Sequence, residues 1–122
     1  MTLAAISGMV SVAVGAFAAH GIRDVHTKEL FQTAAHYQFM HAMATLACAT
    51  FMQVGASRAR FAPALFLSGV VFFSGSLYAL ALGAPRWVGA ITPIGGVLFL
   101  AGWAVLAWAA RGVDPKTPAT PA

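Results

Sequence analysis

Charge is what this chain has least of. Seven of its 122 residues are basic and three are acidic, 8% in all, against about 25% in an ordinary soluble domain. Hydrophobic residues make up 60%, and the mean hydropathy is +0.80. A water-soluble fold of this size has too little interior to hide that much apolar surface, which leaves lipid as the solvent. Cysteine is nearly absent too. Cys48 stands alone, which excludes an intramolecular disulfide, and it lies inside an apolar stretch, where it reads as a small filler. The formal net charge of +4 is spread thinly over loops. It forms no basic patch, so nucleic acid is not an expected partner, and the bases are assigned to orientation and headgroup contact.

What is present is four stretches without a charged residue: 3–22, 34–55, 61–83 and 87–110. Each is about 20 to 24 residues long, and at about 1.5 Å per residue such a helix spans the hydrocarbon core of a bilayer. In lipid each backbone amide needs an internal partner, so the stretches are expected to be helices. The expected fold is all-α, a four-transmembrane-helix up-down bundle over residues 1–111. A polar tail, 112–122, rich in proline and threonine, is expected to be disordered. Met1–Ala19 is read as a retained span, because no Lys or Arg precedes it and it is long for a signal sequence. Four bases lie on the side of the termini (Arg58, Arg60, Arg111, Lys116) and three on the other (Arg23, Lys28, Arg86). That bias places both termini in the cytoplasm.

Local signals refine the spans. Thr27 is expected to cap the second helix. Pro63 falls in the first turn of the third, where its missing N–H costs little. Pro93, followed by Gly95 and Gly96, predicts a kink in helix four. Ser7, Ser11, Gly15 and Ala19 recur every four residues and predict a close helix contact; Gly75, Ala79 and Gly83 form a second such ladder. Ser74 and Ser76 are expected to bond back to their own helix.

The second span, with "TAAHYQFMHAMAT" (Thr33–Thr45), is the exception. At about 100° per residue, Tyr37, Gln38, His41, Thr45 and Cys48 share one stripe, while His36 lies roughly 140° from His41. The i, i+5 spacing does not aim both imidazoles at one ion, and no span holds Asp, Glu or a second cysteine, so no metal is expected. Neither a haem pair nor a phosphate-binding loop is convincing, and no cofactor is expected. No nucleophile–base pair can be assembled, which argues against an enzyme. Depth gives more. In an up-down bundle His20, His36, Tyr37, Gln38, His41, Tyr78 and Thr92 fall in the same outer part of the bilayer. They either hydrogen-bond one another, His41 with Tyr78 for example, and hold the helices together, or they line a wet vestibule that binds a ligand or passes protons. The first reading makes the chain a structural or accessory membrane component, with a homo-oligomer or other membrane proteins as partners beside the lipid bilayer. The second makes it a small transporter or proton-coupled binding protein.

Four stretches, "GAFAAHG" (Gly15–Gly21), "TAAHYQFMHA" (Thr33–Ala42), "FSGSLYALAL" (Phe73–Leu82) and "RWVGAITPIGGVLFLAGW" (Arg86–Trp103), resemble the domain-of-unknown-function family 423, which includes the eukaryotic transmembrane protein 256 group. The resemblance runs to about Ala110, with Ala18 standing where the family often has glycine. It implies a small multi-spanning protein of the bacterial cytoplasmic membrane, without an agreed activity or catalytic residues. The motif residues it carries onto this chain are His20, Gly21, Tyr37, Gln38, His41, Ser74, Gly75, Tyr78, Trp87, Thr92, Pro93, Gly95 and Gly96.

Overall fold

A computed structural model describes residues 1–112; the expected disordered tail, from 113 on, lies outside it. Four α-helices follow in order: α1 (Thr2–Gly21), α2 (Val25–Gln53), α3 (Ala62–Ala81) and α4 (Thr92–Ala110). Among the described residues there is no strand. Each helix runs antiparallel to the next. α2 is the centre: α1 and α3 pack along it, and α4 packs along α3 and touches α2. No substantial contact joins α1 to α4, so the bundle is open on that side.

Among the described residues three segments are long and apolar enough to cross a membrane: Thr2–Gly21, Ser57–Ala81 and Arg86–Ala110. α2, with 29 residues, is longer than any other helix but less apolar. Its polar side chains Gln38, His41 and Thr45 are buried against its neighbours. A polar helix is thus sheathed by apolar ones, the arrangement that a low-dielectric solvent requires.

The helix ends follow from glycine and proline. α2 and α3 each stop at a glycine with positive φ, Gly55 (+91°) and Gly83 (+98°). After each, the chain turns back on the helix in the same way. Gly55 N–H and Ala56 N–H donate to the carbonyls of Met52 and Phe51; Gly83 N–H and Ala84 N–H donate to those of Leu80 and Ala79. These are Schellman closures, which need the left-handed conformation that glycine adopts freely. Gly83 is therefore a helix terminator and not a rung of a packing ladder. A 3₁₀ turn follows in both cases, Ser57–Phe61 and Arg86–Ala90, and then a helix with proline in its first turn. The kink expected in helix four at Pro93 is not made. Pro93 falls in the first turn of α4, where no amide bond is due, and the bend is taken up in the 3₁₀ turn before it. α4 continues unbroken through Gly95 and Gly96.

α2 begins at Val25, about two and a half turns before its charge-free run, and its cap is Asp24 instead of Thr27. The Asp24 carboxylate accepts from the Thr27 hydroxyl (2.7 Å) and from the Thr27 amide (2.9 Å). Those two bonds, the hydroxyl first, hold its carboxyl below the ordinary carboxylate range. The cap is therefore intact above that range and lost as pH falls through the lowered value.

At the other end of the bundle, Arg58 donates from Nη1 to the Trp108 carbonyl (3.2 Å) and lies 4.5 Å over the Trp108 ring. A cation at the carbonyl end of α4 opposes the helix dipole. Arg58→Ala is expected to lower the unfolding free energy in detergent by about 0.3–1 kcal/mol. Denaturant titration followed by far-UV circular dichroism reads it, and a gain in stability would remove the contact from this account.

Helix contacts are made by glycine and phenylalanine in exchange. Cβ atoms built on Gly69 and Gly102 would stand 2.5 and 2.6 Å from the rings of Phe99 and Phe66. One built on Gly95 would collide with the Phe73 backbone. The pairs Phe66–Gly102, Gly69–Phe99 and Phe73–Gly95 thus follow one another along the α3–α4 seam; the rings of Phe66 and Phe99 fill the space over Gly102 and Gly69, and at Gly95 the backbone of Phe73 itself comes into contact. Where lipid tails compete as apolar partners, this close fit is what holds helices together. The α1–α2 contact is looser. A Cβ on Gly8 would meet Ala42 at 3.8 Å and one on Gly15 would meet Ala35 at 3.9 Å. Ala4, Ser11 and Ala18 are the buried positions of α1. Ala19 is exposed and Ala18 is fully buried. A four-residue step overshoots the helical turn by about 40°, so the ladder from Ser7 drifts off the contact face before it reaches Ala19.

Candidate functional site

The polar side chains of α2 meet the other helices in two separate clusters. In the first, Tyr78 on α3 donates its hydroxyl hydrogen to Gln38 Oε1 (2.6 Å). Gln38 Nε2 donates in turn to the Ser7 carbonyl and to Ser7 Oγ, both at 3.1 Å. The carbonyl can only accept, which settles the orientation of the amide. A continuous chain of bonds therefore runs from α3 through α2 to α1.

The second cluster surrounds His41. Its Nδ1 lies 2.7 Å from the Tyr37 carbonyl, and its Nε2 lies 3.1 Å from Trp103 Nε1 on α4. A carbonyl only accepts and an indole N–H only donates. The ring satisfies both as the neutral Nδ1–H tautomer, which donates to Tyr37 and accepts from Trp103. A proton on Nε2 would set two donors against each other. The imidazole also stacks on Phe99, with centroids 3.5 Å apart and planes 8° from parallel. Phe66 and Trp103 close around it at 5.6 and 6.1 Å. Tyr37 is nearly parallel to the His41 and Phe99 rings, and its own closest aromatic neighbour is Phe73, at 4.6 Å.

Two further bonds tie the helices. Ser74 on α3 donates to the Ala34 carbonyl of α2 (2.7 Å), reaching across to a neighbour instead of back to its own helix. Ser76 bonds its own helix at Phe73 and also Thr92 on α4. Thr45 and Cys48 donate back to their own helix, at His41 and Ala44.

The structure divides the expected layer. Gln38, His41, Tyr78 and Thr92 take part in helix–helix hydrogen bonds, and Tyr37 contributes its ring and its carbonyl. His20 and His36 are exposed and hydrogen-bond to neither cluster; His36 lines the cleft between α1 and α2, with Ser11 and Gly15 across from it. Tyr78 bonds Gln38, so the pairing of His41 with Tyr78 is not made. Of the two small-residue ladders, Ser7, Ser11 and Gly15 lie along the α1–α2 contact. Gly75 faces open space and Ala79 is half-buried. Ser7 as hydrogen-bond partner, Trp103 and Phe99 were not apparent from the sequence. The Gly95, Phe99, Gly102 spacing, complementary to Phe66, Gly69, Phe73, is the signal that points to the α3–α4 seam once the pairing of the helices is known.

A groove of about 500 Å³ opens between α2 and α4, lined mainly by carbon, with Tyr37, His41, Phe73, Phe99 and Trp103 around it. Among the described residues no three His, Cys, Asp or Glu side chains are placed to hold a metal ion. Among the described residues, too, every buried side-chain nitrogen or oxygen has a hydrogen-bond partner.

Three lipid-length apolar helical segments sheathing a polar fourth helix, with the polar groups bonded inward, define a multi-pass integral membrane protein. Residues 14–96 match the family described as "Protein of unknown function (DUF423)". The chain belongs to that family. It is 46% identical over 111 residues to a UPF0382 membrane protein of Haemophilus influenzae, covering 88% of this chain and 90% of the relative. To a UPF0382 membrane protein of Staphylococcus epidermidis it is 43% identical over 107 residues, 85% and 88% of the two chains. To the UPF0382 inner membrane protein YgdD of Escherichia coli it is 44% identical over 110 residues, 87% and 84%. No solved structure matches it.

Proposed function

We propose that this protein is a structural or accessory component of the bacterial cytoplasmic membrane, acting through its helix surfaces and not through catalysis or conduction. The name of the Escherichia coli relative supports the inner membrane as its location. The base count supports both termini in the cytoplasm. One observation carries the functional reading: the polar groups inside the bundle are spent on each other. A proton relay needs a side chain that can take up and release a proton, and both nitrogens of His41 are committed to neighbours. A catalytic site needs an activated nucleophile or base, and the buried serines and threonine donate to backbone carbonyls or to one another. The open α1–α4 side, by contrast, leaves apolar helix faces for lipid, a second copy or another membrane protein.

The groove between α2 and α4 favours a second reading, a small transporter or ligand-binding protein. Cysteine accessibility separates the two. In a Cys48→Ala background, Tyr37→Cys and His41→Cys in native membranes are expected to resist a membrane-impermeant maleimide applied to either side. Rapid one-sided labelling of both would replace the structural reading with a hydrated vestibule. A reporter fused after Ala122 is expected to be active only in its cytoplasmic form.

A further inference from the structure

The loop face of the bundle opposite the termini carries a second, smaller pocket that neither cluster uses. It has a volume of about 310 Å³ and is lined by His26 and Leu30 of α2, Leu80 of α3, and Ala84 and Arg86 of the following turn. The two ionisable side chains stand at its rim and are exposed, while Leu30 and Leu80 are half-buried beneath them. At the other end of the bundle Arg58 and Arg60 fold onto Trp108 and Phe61.

We propose that this pocket binds the headgroup of an anionic phospholipid, with its phosphodiester between Arg86 and His26 and the first carbons of an acyl chain on Leu30 and Leu80. Three features favour that occupant. The pocket sits where the charge-free stretches ending at Gly83 and beginning at Ala34 give way to loops, the depth of headgroups. Trp87, next to Arg86, is 68% exposed, as an interfacial anchor is. The surrounding charge is also complementary. Arg23 and Lys28 add positive charge from the same loop, so that with Arg86 the cations outnumber the two acids, Asp24, which is held by Thr27 and also felt by His26, and Glu29. A zwitterionic headgroup would bring its own cation toward Arg86; an anionic one does not.

The test is native mass spectrometry of the full chain in detergent with dioleoylphosphatidylglycerol, dioleoylphosphatidylcholine or inorganic phosphate. Phosphatidylglycerol adducts are expected to exceed phosphatidylcholine adducts in the wild type. Arg86→Gln is expected to weaken them about fivefold, the effect of one cation beside a headgroup. His26→Gln, on a different element, is expected to weaken them in the same direction. Arg111→Gln, at the opposite end, is expected to leave them unchanged. Circular dichroism checks that each variant keeps its helices, and should Arg86→Gln lose them, His26→Gln decides. Equal binding of the two lipids, loss in Arg111→Gln as large as in Arg86→Gln, or displacement of the lipid by millimolar inorganic phosphate would each overturn the proposal. The last would make the pocket a free-anion site.

Discussion

Gly95→Ala is expected to destroy the stable fold of the protein in detergent, while Gly96→Ala, one residue along the same helix, leaves it intact or slightly stabilised. A methyl on Gly95 runs into the backbone of Phe73, which has no rotamer to move to; one on Gly96 meets nothing within 4 Å. Overpacking a well-filled contact typically costs about 1–3 kcal/mol, and an obstacle made of backbone puts this case at or above about 3. At Gly96 only the helical preference of alanine over glycine remains, roughly 0.5–1 kcal/mol in favour of the variant. Thermal unfolding read by circular dichroism, with gel filtration to score aggregation, separates the two. Equal effects would mean that α3 and α4 do not pair through Phe73 and Gly95. The contrast matters because "GG" in the sequence offers no reason to treat its two members differently.

His41→Ala is expected to cost about 3 kcal/mol, in the range for emptying a large buried side chain. The imidazole fills the space between Phe99, Phe66 and Trp103, and its loss leaves those rings without a partner on one side. His41→Phe keeps the stack but strands the Trp103 N–H, and is expected to cost about 0.6–2 kcal/mol, the worth of an interhelical hydrogen bond in this setting. The double variant His41→Phe/Trp103→Phe removes donor and acceptor together. It is expected to be more stable than the sum of the two single losses implies. Strict additivity in denaturant titrations would show that the 3.1 Å contact between Trp103 and His41 contributes nothing. A fall in stability for His41→Phe larger than for His41→Ala would contradict the stacking account.

Much of this fold could be read from residue order. The four charge-free stretches place the helices because a bilayer penalises ions far more than it rewards any single apolar contact. Pro63 was legible as a helix start for a similar reason, since proline is cheap only where no amide bond is due. Other local signals were read with the right chemistry and the wrong role. Gly83 looked like a rung because it lies four residues from Ala79, yet its φ of +98° makes it the end of α3. Thr27 looked like a cap, and is instead the partner of the cap Asp24.

The candidate site was legible only as a set of residues. Gln38, His41 and Tyr78 stand out in an apolar chain because each must find a hydrogen-bond partner there. Which partner each finds depends on the rotation and offset of neighbouring helices, and a slide of one turn would exchange them. His20 and His36 show the limit of reasoning from depth. They lie at the same end of the bundle as the others but are exposed, His36 in the cleft between α1 and α2.

Residue order alone, then, determined the solvent, the number of helices and the places where the backbone must turn, since these follow from the cost of putting charge or unpaired amides into lipid. The tertiary structure decided which glycines admit a phenylalanine, that His41 meets Trp103 and Tyr78 meets Gln38, and that the bundle stays open between α1 and α4. Those outcomes hang on contacts a few ångströms long between residues distant in the chain, and no periodicity within a single helix encodes them.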